Sequence, residues 1–312
     1  MPSLHPQIQA VLKAQAAAGL RPIEAMTPAE ARAQMEETAR ARKAESLPIL
    51  RVEERAISGP AGPIRLRLYW PNAAGTVPAI VYYHGGGHVI GSLDTHDFVA
   101  RNLCAGTEAL VASVDYRMGP EHKFPAAIED SFAALEWVHG NAASLGADPE
   151  RIGVHGDSAG ANLAAVVALM ARDAGQPRLR LQSLVYPVAD YTMKMPSYGK
   201  FATGCGILTR EAMVWFRNHY LRRPEDAEDW RASPLNAPSF AGVAPAIVVT
   251  AECDVLHDEG EQYAAALRDA GVPTDYREYP GMIHAFFGMV PMVDDAMNAQ
   301  RAVWAAFRRA FA

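Results

Sequence analysis

Cysteine is scarce. Three occur in 312 residues, Cys104, Cys205 and Cys253. The number is odd, the spacing wide and no C-x-x-C pair occurs, which argues against a disulfide framework or a thiolate zinc site and fits a reducing compartment. Cys253, although beside Asp254, reads as a small core residue. Long hydrophobic runs are missing too, since the longest, Ala159 to Met170, is too short to span a bilayer. Met1-Pro2-Ser3-Leu4-His5 has no basic stretch leading into an apolar segment, so no signal peptide is expected and a cytoplasmic location is. Positive charge is not in excess. Lys and Arg total 29 against 35 Asp and Glu, a net charge of −6 that gives no reason to expect a nucleic-acid partner. Neither G-x-x-x-x-G-K-[ST] nor a G-x-G-x-x-G opening a helix in a first βαβ unit occurs, which argues against a phosphate cradle. Internal repeats and low-complexity segments are absent as well. What remains is an ordinary globular balance, 50% hydrophobic and 21% charged, with ample material for a core.

Residues 1–47 read as an amphipathic helix pair. Ile8, Val11 and Leu12 share one face of the first helix. Thr27-Pro28-Ala29-Glu30 caps the second, with proline at its first position, and that helix is expected to run to about Ala44. From Val52 the period changes to two. Val52 to Ser58 and Ile64 to Tyr69 alternate apolar with polar residues around a Gly59–Pro63 turn, as half-exposed antiparallel strands do. Continuous apolar runs follow at 79–83, 109–114, 152–154, 181–186 and 246–250, and a last strand is expected at 274–279. Helical stretches at 95–106, 125–141, 161–174, 259–270 and 294–311 separate most of them or close the chain. This alternation predicts an α/β domain over 48–312, a mostly parallel sheet of eight strands with helices on both faces. Nearly sixty residues between Tyr186 and Ala246 interrupt it, too many for a plain connection. They include a helix at about 209–221 with Met213, Phe216 and Tyr220 on one face. This insertion, at about 190–235, and the N-terminal helix pair are expected to form an α-helical cap, with Met213 and Phe216 toward a substrate pocket.

The chemistry centres on Gly156-Asp157-Ser158-Ala159-Gly160. A short apolar run precedes it and a small-residue helix follows, so a serine stands at the apex of a strand–turn–helix. Glycines two residues to either side permit so sharp a turn. The helix N-terminus directs N–H groups toward developing negative charge. His84-Gly85-Gly86-Gly87 directly follows a buried strand, and three consecutive glycines cost enough conformational entropy to need a reason. Bare backbone approaching a ligand supplies one: N–H groups here, with that of Ala159, would form an oxyanion hole. A serine nucleophile needs a base, and the base an orienting acid. His219, His257 and His284 are the histidines that follow Ser158. His219 falls mid-helix and His257 at a helix start. His284 lies in the loop after the last expected strand, free to reach the serine, and is taken as the base. Asp254, just beyond the 246–250 strand, is taken as the acid. Asp258, four residues on, reads instead as a helix cap or a supporting partner. Strand carboxyl ends thus carry all three groups, where ligands bind in open α/β sheets.

These motifs, with Tyr116-Arg117-Met118-Gly119-Pro120-Glu121-His122, follow one another in the order found in one family. The chain resembles the bacterial hormone-sensitive-lipase-like (family IV) carboxylesterases of the α/β-hydrolase superfamily over roughly residues 50–312, and its helical N-terminus resembles their cap. The resemblance implies an α/β-hydrolase fold and a Ser158–Asp254–His284 triad. It also implies Gly86, Gly87 and Ala159 as oxyanion donors, no cofactor or metal, and homodimers formed along a sheet edge. The expected reaction is hydrolysis of short- to medium-chain acyl esters through an acyl-enzyme. His88 stands where the family commonly has an aromatic residue, so a more polar pocket wall is expected, with Ile283 a further pocket residue and Asp157 a supporting one. Ala161 replaces a frequent glycine, Val255 a frequent proline, and Met118-Gly119 a usual Leu-Ala pair. Two other readings stay open. The same triad serves amide hydrolysis, as in an arylformamidase or acylaminoacyl peptidase. A non-catalytic ligand receptor is the other, and the plant gibberellin receptors that resemble this family lack the histidine present here at 284.

Overall fold

The computed structural model describes residues 3–41, 45–202 and 205–312. Two helices come first, α1 (Pro6–Ala17) and α2 (Pro28–Ala41). The predicted cap of α2 forms reciprocally, with Thr27 N donating to Glu30 Oε2 at 2.8 Å and Glu30 N to Thr27 Oγ1 at 3.3 Å. Its expected end at Ala44 lies outside the described residues. The hairpin β1 (Arg51–Gly59) and β2 (Gly62–Trp70) follows, then β3 (Val77–Tyr83), α3 (Asp97–Thr107), β4 (Leu110–Asp115), α4 (Ala126–Asn141), β5 (Ala147–Asp157) and α5 (Ala159–Ala174). The second half runs β6 (Leu179–Val185), α6 (Ser197–Lys200), α7 (Arg210–Tyr220), β7 (Ala246–Cys253), α8 (His257–Asp269), β8 (Thr274–Ile283) and α9 (Asp294–Phe311).

Eight strands form one sheet in the order β1-β2-β4-β3-β5-β6-β7-β8. β2 is antiparallel to both its neighbours, and the pairs from β4 to β8 are parallel. The apolar runs make the central strands: Ala79 to Tyr83 in β3 and Leu110 to Val114 in β4 are fully buried. Helices α3 and α9 pack together on one face and α4 and α5 on the other. α9 shows why. Ala296, Ala299, Val303, Phe307 and Phe311 form a buried stripe at helical spacing, while Asp294 and Asp295 in the first turn and Arg308 and Arg309 in the last suit the helix dipole.

Strand order decides where the site lies. β4 and β5 flank β3, so the chain leaves β3 toward one side of the sheet and leaves β5 toward the other. Such a switch point opens a crevice at the strands' carboxyl ends. Two strands run further than the sequence suggests. β7 continues to Cys253 and β8 passes through Pro280-Gly281 to Ile283, re-pairing as Cys253↔Ile283 after a register shift. Gly281, at φ +67°, is braced there from both sides. Its N–H donates to Glu252 Oε2 at 2.7 Å, and its carbonyl accepts from His5 N at 3.0 Å.

Candidate active site

Ser158, Asp254 and His284 each follow the last residue of a strand, β5, β7 and β8 respectively. They form one chain of hydrogen bonds. His284 Nε2 lies 2.9 Å from Ser158 Oγ, and His284 Nδ1 lies 2.6 Å from Asp254 Oδ2. The Asp254 side chain is wholly buried and its Oδ1 accepts the Leu256 N–H at 3.0 Å. A buried carboxylate held in this way orients the ring so that Nδ1–H donates to it, leaving Nε2 to accept from the serine hydroxyl. The Tyr186 ring flanks the imidazole, 4.5 Å between centroids.

The serine adopts φ 56°, ψ −121°, a strained conformation for a residue with a side chain. Its own backbone is tied down, Ser158 N donating to Val185 O at 2.8 Å. Space explains the flanking glycines. A Cβ on Gly156 would lie 2.1 Å from Gly160 O, and one on Gly160 would lie 1.9 Å from Tyr83 O. Strand β5, helix α5 and the end of β3 therefore meet at van der Waals contact through bare backbone.

The Gly85–Gly87 loop faces this turn. Gly86 and Gly87 have φ of +116° and +61°, and Gly86 O accepts from Val89 N at 3.0 Å and Ile90 N at 2.9 Å. Among the described residues, no acceptor is found for the N–H of Gly86, Gly87 or Ala159. His84, wholly buried, is held from behind: Tyr116 donates its hydroxyl to His84 O at 2.7 Å, and the rings stack 4.5 Å apart. Burial, helped by the neighbouring His96, pushes the His84 pKa down to about 3 and keeps the ring neutral. Asp157 accepts from Tyr82 Oη at 2.9 Å and lies 3.7 Å from His96 Nε2. Burial works to raise its pKa, but the contacts with His96 and Tyr82 outweigh it and hold the carboxyl at about 2.

Other residues singled out in the sequence take varied places. His88 is wholly buried at φ 58°, a turn that lays its ring against Tyr220 at 3.9 Å, so it presents no polar wall to solvent. Burial pushes its pKa to about 3. Among the described residues, Asp258 has no hydrogen bond to a triad side chain. Its Oδ2 accepts from Ser197 N at 2.8 Å and its Oδ1 lies 2.9 Å from His257 Nδ1, so it braces α6. Met213 and Phe216 are buried on α7, with the Phe216 ring filling the space where a Cβ on Gly87 would fall. Ile283 packs beneath Gly206. The insertion and the N-terminal helices meet where Trp215 Nε1 donates to Met26 O at 3.1 Å. Arg32 of α2 donates to Val89 O at 2.8 Å, to Gly119 O at 2.7 Å and to both carboxylate oxygens of Glu121. No group of three or more His, Cys, Asp or Glu side chains among the described residues is arranged to hold a metal ion.

Residues 80–288 match the alpha/beta hydrolase fold family. The chain belongs to that family. Its place among the α/β-hydrolases agrees with the resemblance drawn from the motifs. Carboxylesterase NlhH of Mycobacterium tuberculosis is 44% identical over 85% of this chain and 85% of its own length. The carboxylic ester hydrolase LipN of the same organism is 46% identical over 76% of this chain, which spans 65% of LipN, a little under two thirds. Among solved structures, this α/β-hydrolase is similar to a hyperthermophilic esterase from the archaeon Pyrobaculum calidifontis, with a TM-score of 0.93 and 42% identity over 99% of each chain. Tyr82, His96 and Tyr186 were not singled out in the sequence. Tyr186 had one available signal, its place at the carboxyl end of an apolar run.

Proposed function

We propose that the protein is a carboxylesterase hydrolysing short- to medium-chain acyl esters. The observation that carries this reading is the unbroken Ser158–His284–Asp254 hydrogen-bond chain beside three amides that find no acceptor among the described residues. Ser158 Oγ attacks the ester carbonyl as His284 Nε2 takes its proton, and Asp254 stabilises the imidazolium that forms. The carbonyl oxygen becomes an anion between the N–H groups of Gly86, Gly87 and Ala159, where one such donor contributes about 3–4 kcal/mol to the transition state. His284 passes the proton to the departing alcohol, leaving an acyl-enzyme. It then takes a proton from water, whose attack releases the acid. The names of the relatives favour esters over amides.

The helix pair before β1 and the insertion at about 190–235 serve as a cap, with apolar Met213, Phe216 and Ile283 toward the acyl chain. Asp157 supports the oxyanion loop. Two copies pair along an outermost strand, β1 or β8, and the enzyme works in the cytoplasm. No helix among the described residues is long and apolar enough to cross a membrane.

Ser158→Ala is expected to lower kcat by about 10⁴-fold or more while leaving the melting curve in place. Retention of most activity by that variant would overturn the assignment. An acetyl-to-dodecanoyl series of nitrophenyl esters, run beside the matching anilides, tests the substrate class, and faster cleavage of the anilides would refute the ester reading.

A further inference from the structure

Three largely buried polar side chains beside the nucleophile take no part in the triad. Tyr82, on central strand β3, donates to Asp157 Oδ1 at 2.9 Å. His96, 8% exposed and at the start of α3, brings Nε2 to 3.7 Å from Asp157 Oδ2. Thr95 Oγ1 holds His96 Nδ1 at 2.8 Å, and the imidazole stacks on that of His84 with 5.2 Å between centroids. The carboxylate that Tyr82 holds and His96 faces stands directly against Gly85. A Cβ built on Gly85 would fall 2.5 Å from Asp157 Oδ2 and 2.9 Å from the Asp157 carbonyl oxygen. Asp157 therefore fills the space a side chain at 85 would need, one residue before the Gly86 and Gly87 amides.

An oxyanion hole works because its donors are in place before charge develops, and a misplacement of about 1 Å can cost about 10²-fold in rate. Fixing Asp157 fixes the loop that packs against it. Tyr82 fixes one oxygen. His96 is the group facing the other.

We infer that His96 is a positioning residue for ester hydrolysis, acting through Asp157 to hold the Gly85–Gly87 loop. His96 itself touches neither substrate nor the reacting atoms. The inference rests on the carboxylesterase reading above.

The test compares wild type with His96→Leu, His96→Gln, Asp157→Asn and the His96→Leu/Asp157→Asn double variant. Two quantities are read: kcat and KM on nitrophenyl butyrate, and the inhibition constant of an alkyl trifluoromethyl ketone. That ketone adds to the serine as a tetrahedral oxyanion. His96→Leu is expected to lower kcat about 10- to 100-fold with KM within about twofold, and to weaken the ketone by the same factor. His96→Gln, which keeps an N–H donor, recovers most of both. The double variant is no worse than the poorer single one, because both changes break one unit. Ketone binding unchanged by His96→Leu overturns the inference, as does a kcat loss that Gln does not recover, or additive losses. If His96→Leu fails to fold, Asp157→Asn carries the comparison: a loss of kcat and of ketone binding is expected, and both unchanged overturns the inference. Failure of the wild-type enzyme to hydrolyse the ester or bind the ketone would instead sink the carboxylesterase reading.

Discussion

His257 lies three residues beyond Asp254, yet its contacts belong to the fold. Its Nδ1 is 2.9 Å from Asp258 Oδ1 and its Nε2 2.8 Å from Glu278 Oε2. Burial works to lower its pKa, but the hydrogen bonds to Asp258 and Glu278 prevail and raise it above the ordinary histidine value. The folded state thus binds this proton more tightly than the unfolded state. Stability from this contact is complete below about pH 6.5 and is lost as pH rises through the raised value. Calorimetric Tm is expected to fall as pH is raised from about 6 past neutrality, and His257→Gln is expected to flatten that decline. A variant curve parallel to wild type would show the charge to be idle. Proximity in sequence made His257 and Asp258 competitors for the triad, and chain order with strand ends favoured Asp254 and His284 instead. No such rule exposes Tyr82 or His96, because their partner Asp157 lies on another element far along the chain. Only the assembled sheet brings them together.

Arg32 is the clearest tie between α2 and the body of the enzyme. It joins the backbone just past the oxyanion loop, at Val89 O, to Gly119 O and the Glu121 carboxylate. Its side chain is 28% exposed, and charged hydrogen bonds so placed contribute about 1.5–3 kcal/mol each before solvent screening reduces them. Arg32→Ala is expected to loosen α2 locally, with amide hydrogen exchange faster across Pro28–Ala41 and unchanged in β3 and β5. Equal exchange across α2 in both proteins would assign that helix's position to apolar packing alone. Most elements were readable from periodicity and caps. The end of β8 was not, because Pro280-Gly281 reads as a turn. Bonds from Glu252 and His5, neither adjacent in sequence, let pairing resume at Ile283.

Across the whole molecule, alternating strands and helices gave the layered architecture, since a parallel sheet must be covered on both faces. Strand order was not legible in the same way. Apolar runs announce burial but not neighbours, so nothing in Ala79 to Tyr83 says that β4 and β5 lie on either side of it. All three thiols are buried, and burial pushes the Cys104 and Cys253 pKa values up to about 12. Few thiolates form at neutral pH in such surroundings. With an aromatic disulfide reagent, the native protein is therefore expected to react slowly and denaturant to release three thiols together at the unfolding midpoint. Rapid labelling of one thiol in the native state would reveal a local opening.

Serine and histidine lie 126 residues apart in sequence, one after a strand near the middle of the sheet and the other after its outermost strand. A growing polypeptide thus presents the nucleophile long before β7 and β8 can dock and deliver acid and base. Until they do, the hydroxyl is an ordinary alcohol.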